Sequence, residues 1–149
     1  MRIILTEIHS ANRAECIALR VSQVQAPYIA SNEDSLREAE ECPEIARPFG
    51  IYVEETMVGF AMFVFDLQYE DPDDRYWLWR FMIDENLQGR GYGTQALQEI
   101  IEYFRSHGAD HIRLSTKESN FGALSLYRKA GFRETGELND GEIVLKLKL

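Results

Sequence analysis

Three glycines, Gly89, Gly91 and Gly93, alternate over five positions in "NLQGRGYGTQALQEII" (86–101), just ahead of an apolar-periodic run. Glycine has no Cβ and adopts backbone angles that other residues avoid, so such a cluster marks a tight turn or a close approach of backbone to a ligand. Placed between a strand end and a helix start, it leaves several backbone N–H groups unpaired and pointing outward. The helix dipole adds partial positive charge there, so the chemistry on offer is the binding of a phosphate or pyrophosphate. Arg90 stands beside the glycines to assist with its side chain. Two nucleotide fingerprints fail on spacing. No Lys follows the glycines as a P-loop requires, and the spacing is G-x-G-x-G late in the chain instead of G-x-G-x-x-G after a first strand. A turn that serves only chain reversal is the alternative.

The elements that must position this segment follow from periodicity. "RIILTEI" reads as a strand and "NRAECIALRVSQ" as a helix with Ile17, Val21 and Val24 near one face. "SNEDSLREAEEC" reads as a short acidic helix, N-capped by Ser31 or Asn32 and stopped by Pro43. "FGIYVEE" and "MVGFAMFVFD" form a hairpin around Glu54 to Thr56. "RYWLWRFMID" is apolar almost throughout, which places it centrally in a sheet. After the glycines, Leu97, Ile100, Ile101 and Phe104 follow the helical i, i+3, i+4, i+7 rule up to Gly108. A strand "HIRLST", a helix from about Asn120 to Ala130 closed by Gly131, and two strands joined around "NDG" complete the chain. The order β-α-α-β-β-β-α-β-α-β-β predicts an α/β fold with a mixed sheet, and the 149 residues form one domain, 1–149.

Composition narrows the partners. With 25 acidic against 16 basic residues the net charge is −9, which argues against nucleic acid. The stretches Asn32 to Glu44 and Asp66 to Asp74 hold eleven of the carboxylates, either as solvated surface or as a field that attracts a cationic substrate. No apolar run approaches the roughly 18 residues of a membrane span. The N-terminus reads as a strand and not a signal peptide, so cytoplasm is the expected compartment. Cys16 and Cys42 lack metal-binding or redox spacing. His9, His107 and His111 are expected at the solvated surface.

Two segments together resemble the GNAT superfamily of N-acetyltransferases. Gln88, Gly91 and Gly93 match its Q/R-x-x-G-x-G/A signature, and Asn120, Ala123, Tyr127, Gly131 and Phe132 match its N-x-x-A-x-x-x-Y-x-x-x-G-F helix. Within the superfamily the chain resembles the bacterial spermidine/spermine acetyltransferases through "VSQVQAPYIAS", "GFAMF" and "WRFMID". The resemblance implies a mixed, mostly antiparallel sheet of about seven strands with four helices. It implies acetyl-CoA as cosubstrate and no metal. The pyrophosphate would sit on the amides of Gln88, Gly89, Arg90, Gly91, Tyr92, Gly93 and Thr94. The pantetheine arm would bond main-chain groups of Phe81 and Ile83, where the strand splays from its neighbour, and the amide near Met82 would polarise the thioester carbonyl. Asn120 would hold the arm or the helix entrance, and Arg128 and Lys129 would contact the cofactor's phosphates.

Tyr127 is then the residue for chemistry. Attack of an amine on a thioester expels a thiolate, and a phenol within hydrogen-bonding distance can protonate it. A tyrosine on an amphipathic helix otherwise fills the core with its hydroxyl at the rim. The group that accepts the amine's proton stays open. Related polyamine enzymes carry a carboxylate in the strand where this chain has Trp79 and Arg80, which leaves Glu33, Asp34 or an acid of the Asp66 to Asp74 loop acting through water. A polyamine also calls for aromatic walls such as Tyr28, Trp77 and Trp79. The implied partner is a small amine, with neither nucleic acid nor membrane, and the strand "EIVLKLKL" is free to pair in a homodimer. The alternatives are acetylation of a protein N-terminus or a drug-like amine, or a catalytically silent acetyl-CoA sensor.

Overall fold

The computed structural model describes residues 2–21 and 30–149. Strands β1 (Ile3–Glu7), β2 (Ala46–Val53), β3 (Thr56–Phe65), β4 (Tyr76–Ile83), β5 (His111–Thr116), β6 (Arg133–Asn139) and β7 (Glu142–Lys148) form one sheet in the order β1-β2-β3-β4-β5-β7-β6. Every pairing is antiparallel except β4 with β5. Helices α1 (Arg13–Ala18) and α2 (Asn32–Glu41) cover one face; α3 (Tyr92–Ser106) and α4 (Phe121–Ala130) cover the other. The expected mixed, mostly antiparallel seven-stranded sheet with four helices is thus the observed one. Strand β3 explains the layering: nine of its ten residues are buried, as a central strand between two helical layers requires. Ala61, Phe63 and Phe65 pack towards α3, Phe60 and Met62 towards α1 and α2. Among the described residues no helix is long and apolar enough to cross a membrane.

Local signals explain the element ends. Ser31 Oγ accepts from the Asp34 amide at 3.1 Å, so Ser31 and not Asn32 caps α2. Asn32 is instead buried, donating from Nδ2 to the Cys16 carbonyl at 2.9 Å and so tying α2 to α1. The "NDG" turn carries Asp140 and Gly141 at positive φ, the geometry that Asx-Gly hairpins favour.

Three expectations are corrected. The first helix stops at Ala18, because the next residues are tied elsewhere: the Arg20 amide donates to Asp84 Oδ2 at 3.0 Å and its carbonyl accepts from Glu85 N at 2.7 Å. Val21 is therefore not on that helix, and Val24 lies outside the described residues. His111 is buried, its Nδ1 2.6 Å from Asp110 Oδ1 and its Nε2 3.0 Å from the Asp73 carbonyl, whereas His9 and His107 are exposed as expected. Strand β7, holding most of "EIVLKLKL", is flanked by β5 and β6, so its backbone is already paired on both sides and not free for another subunit.

Two irregularities in β4 build the site. The β3–β4 register steps from Met62↔Arg80 to Phe63↔Leu78, leaving Trp79 as the extra residue of a β-bulge. Beyond Trp79, Phe81 and Ile83 join the α3/α4 core while Arg80 and Met82 face α1 and α2. On the other side β4 and β5 pair at one position, Trp77↔Arg113, and diverge past it.

Candidate active site

The divergence opens a cleft of about 750 Å³ between Leu78–Ile83 on one wall and Leu114–Thr116 on the other, closed at its ends by the glycine segment and the start of α4. In an antiparallel pair, alternate residues direct both N–H and C=O to the same side. The Asp84 amide donates to the Val58 carbonyl at 2.8 Å, and the Met82 carbonyl lies against Gly59, where a Cβ would sit 2.4 Å from it. Met82 and Asp84 therefore face β3. The backbone groups of Phe81 and the Ile83 amide face the cleft, where β5 has moved away, while the Ile83 carbonyl on that side already accepts from Gln88 Nε2 at 3.0 Å. Buried backbone groups without a partner are costly, so this edge suits an extended ligand that pairs with it as a strand would. Phe81 and Ile83 thus lie on the cleft side of the strand, whereas the Met82 amide faces β3 and points the wrong way to polarise a carbonyl in the cleft.

At the cleft's end, Gly89 and Gly91 have φ of 77° and 80°, and Gly91 is the N-cap of α3. Among the described residues a Cβ on Gly89 would meet nothing within 4 Å, and one on Gly91 only Gln95 Nε2 at 3.9 Å, so they leave the space over the loop open. Gly93 has no positive φ and sits in the first turn. Gln88 donates from Nε2 to the Ile83 carbonyl at 3.0 Å and so clamps the loop to the end of β4. Tyr92 is buried beneath the loop, and Arg90 and Thr94 are exposed on it. Open backbone over left-handed glycines at a 15-residue helix fits a pyrophosphate, and the β4 edge fits the arm that leads away from it.

Tyr127 lies on the α4 wall, 9% exposed, with its ring 5.7 Å from that of Phe132. Burial pushes its phenol well above the ordinary value of 10, so the hydroxyl stays protonated. Asn120 precedes α4, lines the cleft and donates to Thr116 Oγ1 at 3.3 Å, which holds the helix entrance to the end of β5. Lys129 and Arg128 are exposed on α4; Arg128 pairs with Glu134, and neither lines the cleft.

Residues 12–132 match the Acetyltransferase (GNAT) family. Over all of both chains the protein is 38% identical to the spermine/spermidine N(1)-acetyltransferase of Bacillus subtilis (strain 168). The chain belongs to the GNAT acetyltransferase family. It is accordingly an acetyl-CoA-dependent N-acetyltransferase. Solved structures share the fold: an acetyltransferase from Bacillus subtilis in complex with CoA has a TM-score of 0.70 at 20% identity, covering 99% of this chain and 98% of that one. The PaiA N-acetyltransferase of Thermoplasma acidophilum, also in complex with CoA, has a TM-score of 0.72 at 16% identity and covers all of both chains.

Of the residues expected to meet the amine, Trp79 lines the cleft, 38% exposed at the bulge. Glu33 and Asp34 do not. They sit on the outer face of α2, paired with Arg37 at 3.7 and 3.1 Å. Tyr28 lies outside the described residues. The α2 carboxylate that reaches the cleft is Glu38, held at 3.1 Å by Arg80 Nη2. The helical phase was the available signal: Ser35, Leu36 and Ala39 are buried, which turns residues 33, 34 and 37 outward. Beyond Trp79 a second hollow of about 420 Å³ is walled by Tyr69 and Trp77 and by the carboxylates of Asp66, Asp74 and Glu137. Arg113 lies under it, paired with Asp74 at 3.2 Å and Glu137 at 2.8 Å, and its hydrogen bond holds the Glu137 carboxyl below the usual carboxylate range.

Proposed function

We propose that this acetyltransferase acts on a primary amine of a polyamine such as spermidine or spermine, by direct attack in a ternary complex. The similarity to a spermine/spermidine acetyltransferase over the full length of both chains carries the reading. The acid- and aromatic-walled hollow that meets the cleft at Trp79 and Asn139 supports it, because a polyamine places further ammonium groups a few ångströms from the reacting one.

Acetyl-CoA supplies the activated acetyl group. The loop from Gln88 to Thr94 holds its pyrophosphate, and the cleft-facing groups of Phe81 and Ile83 hold the arm and present one amide to the thioester carbonyl. The amine reacts only with a free lone pair, so its proton passes to a carboxylate or water before the N–C bond forms. Tyr127 faces the departing sulfur. A thiol ordinarily titrates near ~8.5, below the ordinary phenol value of 10 that burial raises further, so full transfer from Tyr127 runs uphill. What Tyr127 contributes is a hydrogen bond to the developing thiolate, which takes up its proton from the amine or solvent as it leaves.

An amine panel with acetyl-CoA, followed by free thiol release, tests the reading. Spermidine and spermine should outrun N-terminal peptides and aminoglycosides. Preference for a peptide or a drug-like amine would move the substrate class, and CoA binding without thiol release for any amine would make the chain a sensor.

A further inference from the structure

Glu38 and Arg80 meet on the wall of a cleft that must admit a cationic amine. One nitrogen, Arg80 Nη2, faces both Glu38 oxygens at 3.1 and 3.4 Å, an end-on contact and not a two-pronged fork. A carboxylate offers about four lone-pair directions, so this contact leaves Glu38 able to accept further donors. Its side chain is 40% exposed and lines the cleft. The guanidinium also stands 5.2 Å from the Trp79 ring centroid, and its Nη1 donates to the Trp79 carbonyl at 2.9 Å. Its Nε is buried with no partner among the described residues. The bulge at Trp79 has taken that indole out of the strand pairing and set it half-exposed beside Glu38's partner. A carboxylate next to an aromatic face is the environment an ammonium ion seeks, and here a side-chain cation already occupies part of it. The other carboxylates on the cleft are Asp140 in the β6–β7 turn and Glu142 at the start of β7, and Glu142 already accepts from Ser115 Oγ at 2.8 Å.

We infer that Glu38 and Trp79 hold a distal ammonium of the substrate, one that is not acetylated, with Glu38 shared between that ammonium and Arg80. The inference rests on the polyamine reading. It places the charge-selecting group on the inner edge of α2, where Glu33 and Asp34 cannot reach, and it makes the spacing between charges on the amine a determinant of affinity. Arg80 repels any cation that fails to reach Glu38, so a second charge at the right distance is rewarded and one at the wrong distance is penalised.

Steady-state kinetics with spermine and with a monoamine of similar length test it, on the wild type, Glu38→Gln, Arg80→Gln and the double variant, with CoA affinity measured on each to verify folding. Glu38→Gln should raise KM for spermine at least tenfold with kcat within twofold, and lower kcat/KM for the monoamine by no more than about threefold. The same rise should persist when Glu38→Gln is added to Arg80→Gln. Glu38→Asp, which keeps the charge and shortens its reach, should give a smaller rise, and Trp79→Leu should raise KM for spermine selectively. A rise that vanishes in the Arg80→Gln background would reduce Glu38 to a counter-charge for Arg80 and overturn the inference. A fall in kcat for both amines would make Glu38 the proton acceptor, and unchanged kinetics would return it to the surface; either result also overturns it. A wild type that turns over the monoamine and not spermine would remove the polyamine reading itself.

Discussion

Gly91 separates two reasons for a glycine, and substitution can tell them apart. Its φ of 80° lies in the left-handed region, where an ordinary L-residue costs about 1–2 kcal/mol. Among the described residues a Cβ there would meet only Gln95 Nε2 at 3.9 Å, so they offer no steric objection. Gly91→Ala should therefore lose about 1–2 kcal/mol of stability, which for a chain of this size lowers Tm by roughly 2–8 °C. Gly91→Asn should lose less, because asparagine tolerates this conformation. If the open space is where a pyrophosphate approaches the backbone, both variants lose CoA affinity alike, by at least about tenfold or ~1.4 kcal/mol. Gly93→Ala is the control: with no positive φ and a Cβ 3.9 Å from Ile83 and Leu126, it should match or exceed wild-type stability by about 0.5–1 kcal/mol. Thermal melts and calorimetry with CoA supply both readouts. A Gly91→Asn protein that binds CoA as tightly as the wild type would show that the glycine serves only the turn.

Tyr127→Phe keeps the buried ring and should leave Tm and CoA affinity nearly unchanged while kcat falls about 10²–10³-fold, the scale of one lost donor to developing charge. Because burial raises this phenol above 10, the pH profile of kcat should show no limb from Tyr127 below pH 10. Gly59→Ala would drive a Cβ to 2.4 Å from the Met82 carbonyl, so β3 and β4 must separate; a loss of about 1–3 kcal/mol is expected in thermal melts, with CoA affinity falling as the β4 edge shifts. Glu137 is held below its ordinary value of 4.5 by its hydrogen bond from Arg113, so its stabilising effect is present above pH 4.5 and fades as the pH falls through the lower folded value. Glu137→Gln should therefore show a shallower loss of Tm on acidification below pH 4.5, and an unchanged slope would remove the pair from that account.

The sequence made one half of this site legible and left the other half obscure, for a physical reason. The glycine loop and the Tyr127 helix are local: Gly89, Gly91 and Asn120 act through their own backbone and the helix each precedes, so spacing along the chain carries the information. The wall of the cleft around Glu38 and Trp79 is assembled from elements distant in sequence. Glu38 reaches the cleft because Arg80, 42 residues away, draws it there, and no spacing rule links the two. The direction of the Met82 amide depends on its register against Phe60, which a strand's own residues do not encode. The same holds for the early end of α1, set by Asp84, and for the burial of His111 between Asp73 and Tyr76. The acidic runs were readable as charge, yet their division was not. Arg37, Lys146 and Arg113 pair with Glu33, Asp34, Asp73 and Asp74, and of the two runs it is Glu38, Asp66 and Asp74 that line the cleft and the second hollow.

The single shared position between β4 and β5 makes the sheet two plates, β1 to β4 and β5 to β6, riveted at Trp77 and Arg113 and parted beyond. An extended cosubstrate laid in that gap, as proposed above, would take the place of the missing ladder, so part of the folded protein's cohesion would be lent by the molecule it consumes. By linkage, a ligand at a hundred times its Kd adds about 2.7 kcal/mol of stability, a large share of what a domain usually has. The amides of Phe81 and Ile83 would exchange with solvent slowly when CoA is bound and faster when it leaves. Each turnover would then end by loosening the enzyme, and a cell short of acetyl-CoA would hold more of this protein in its less cohesive form, exposed for longer to proteolysis.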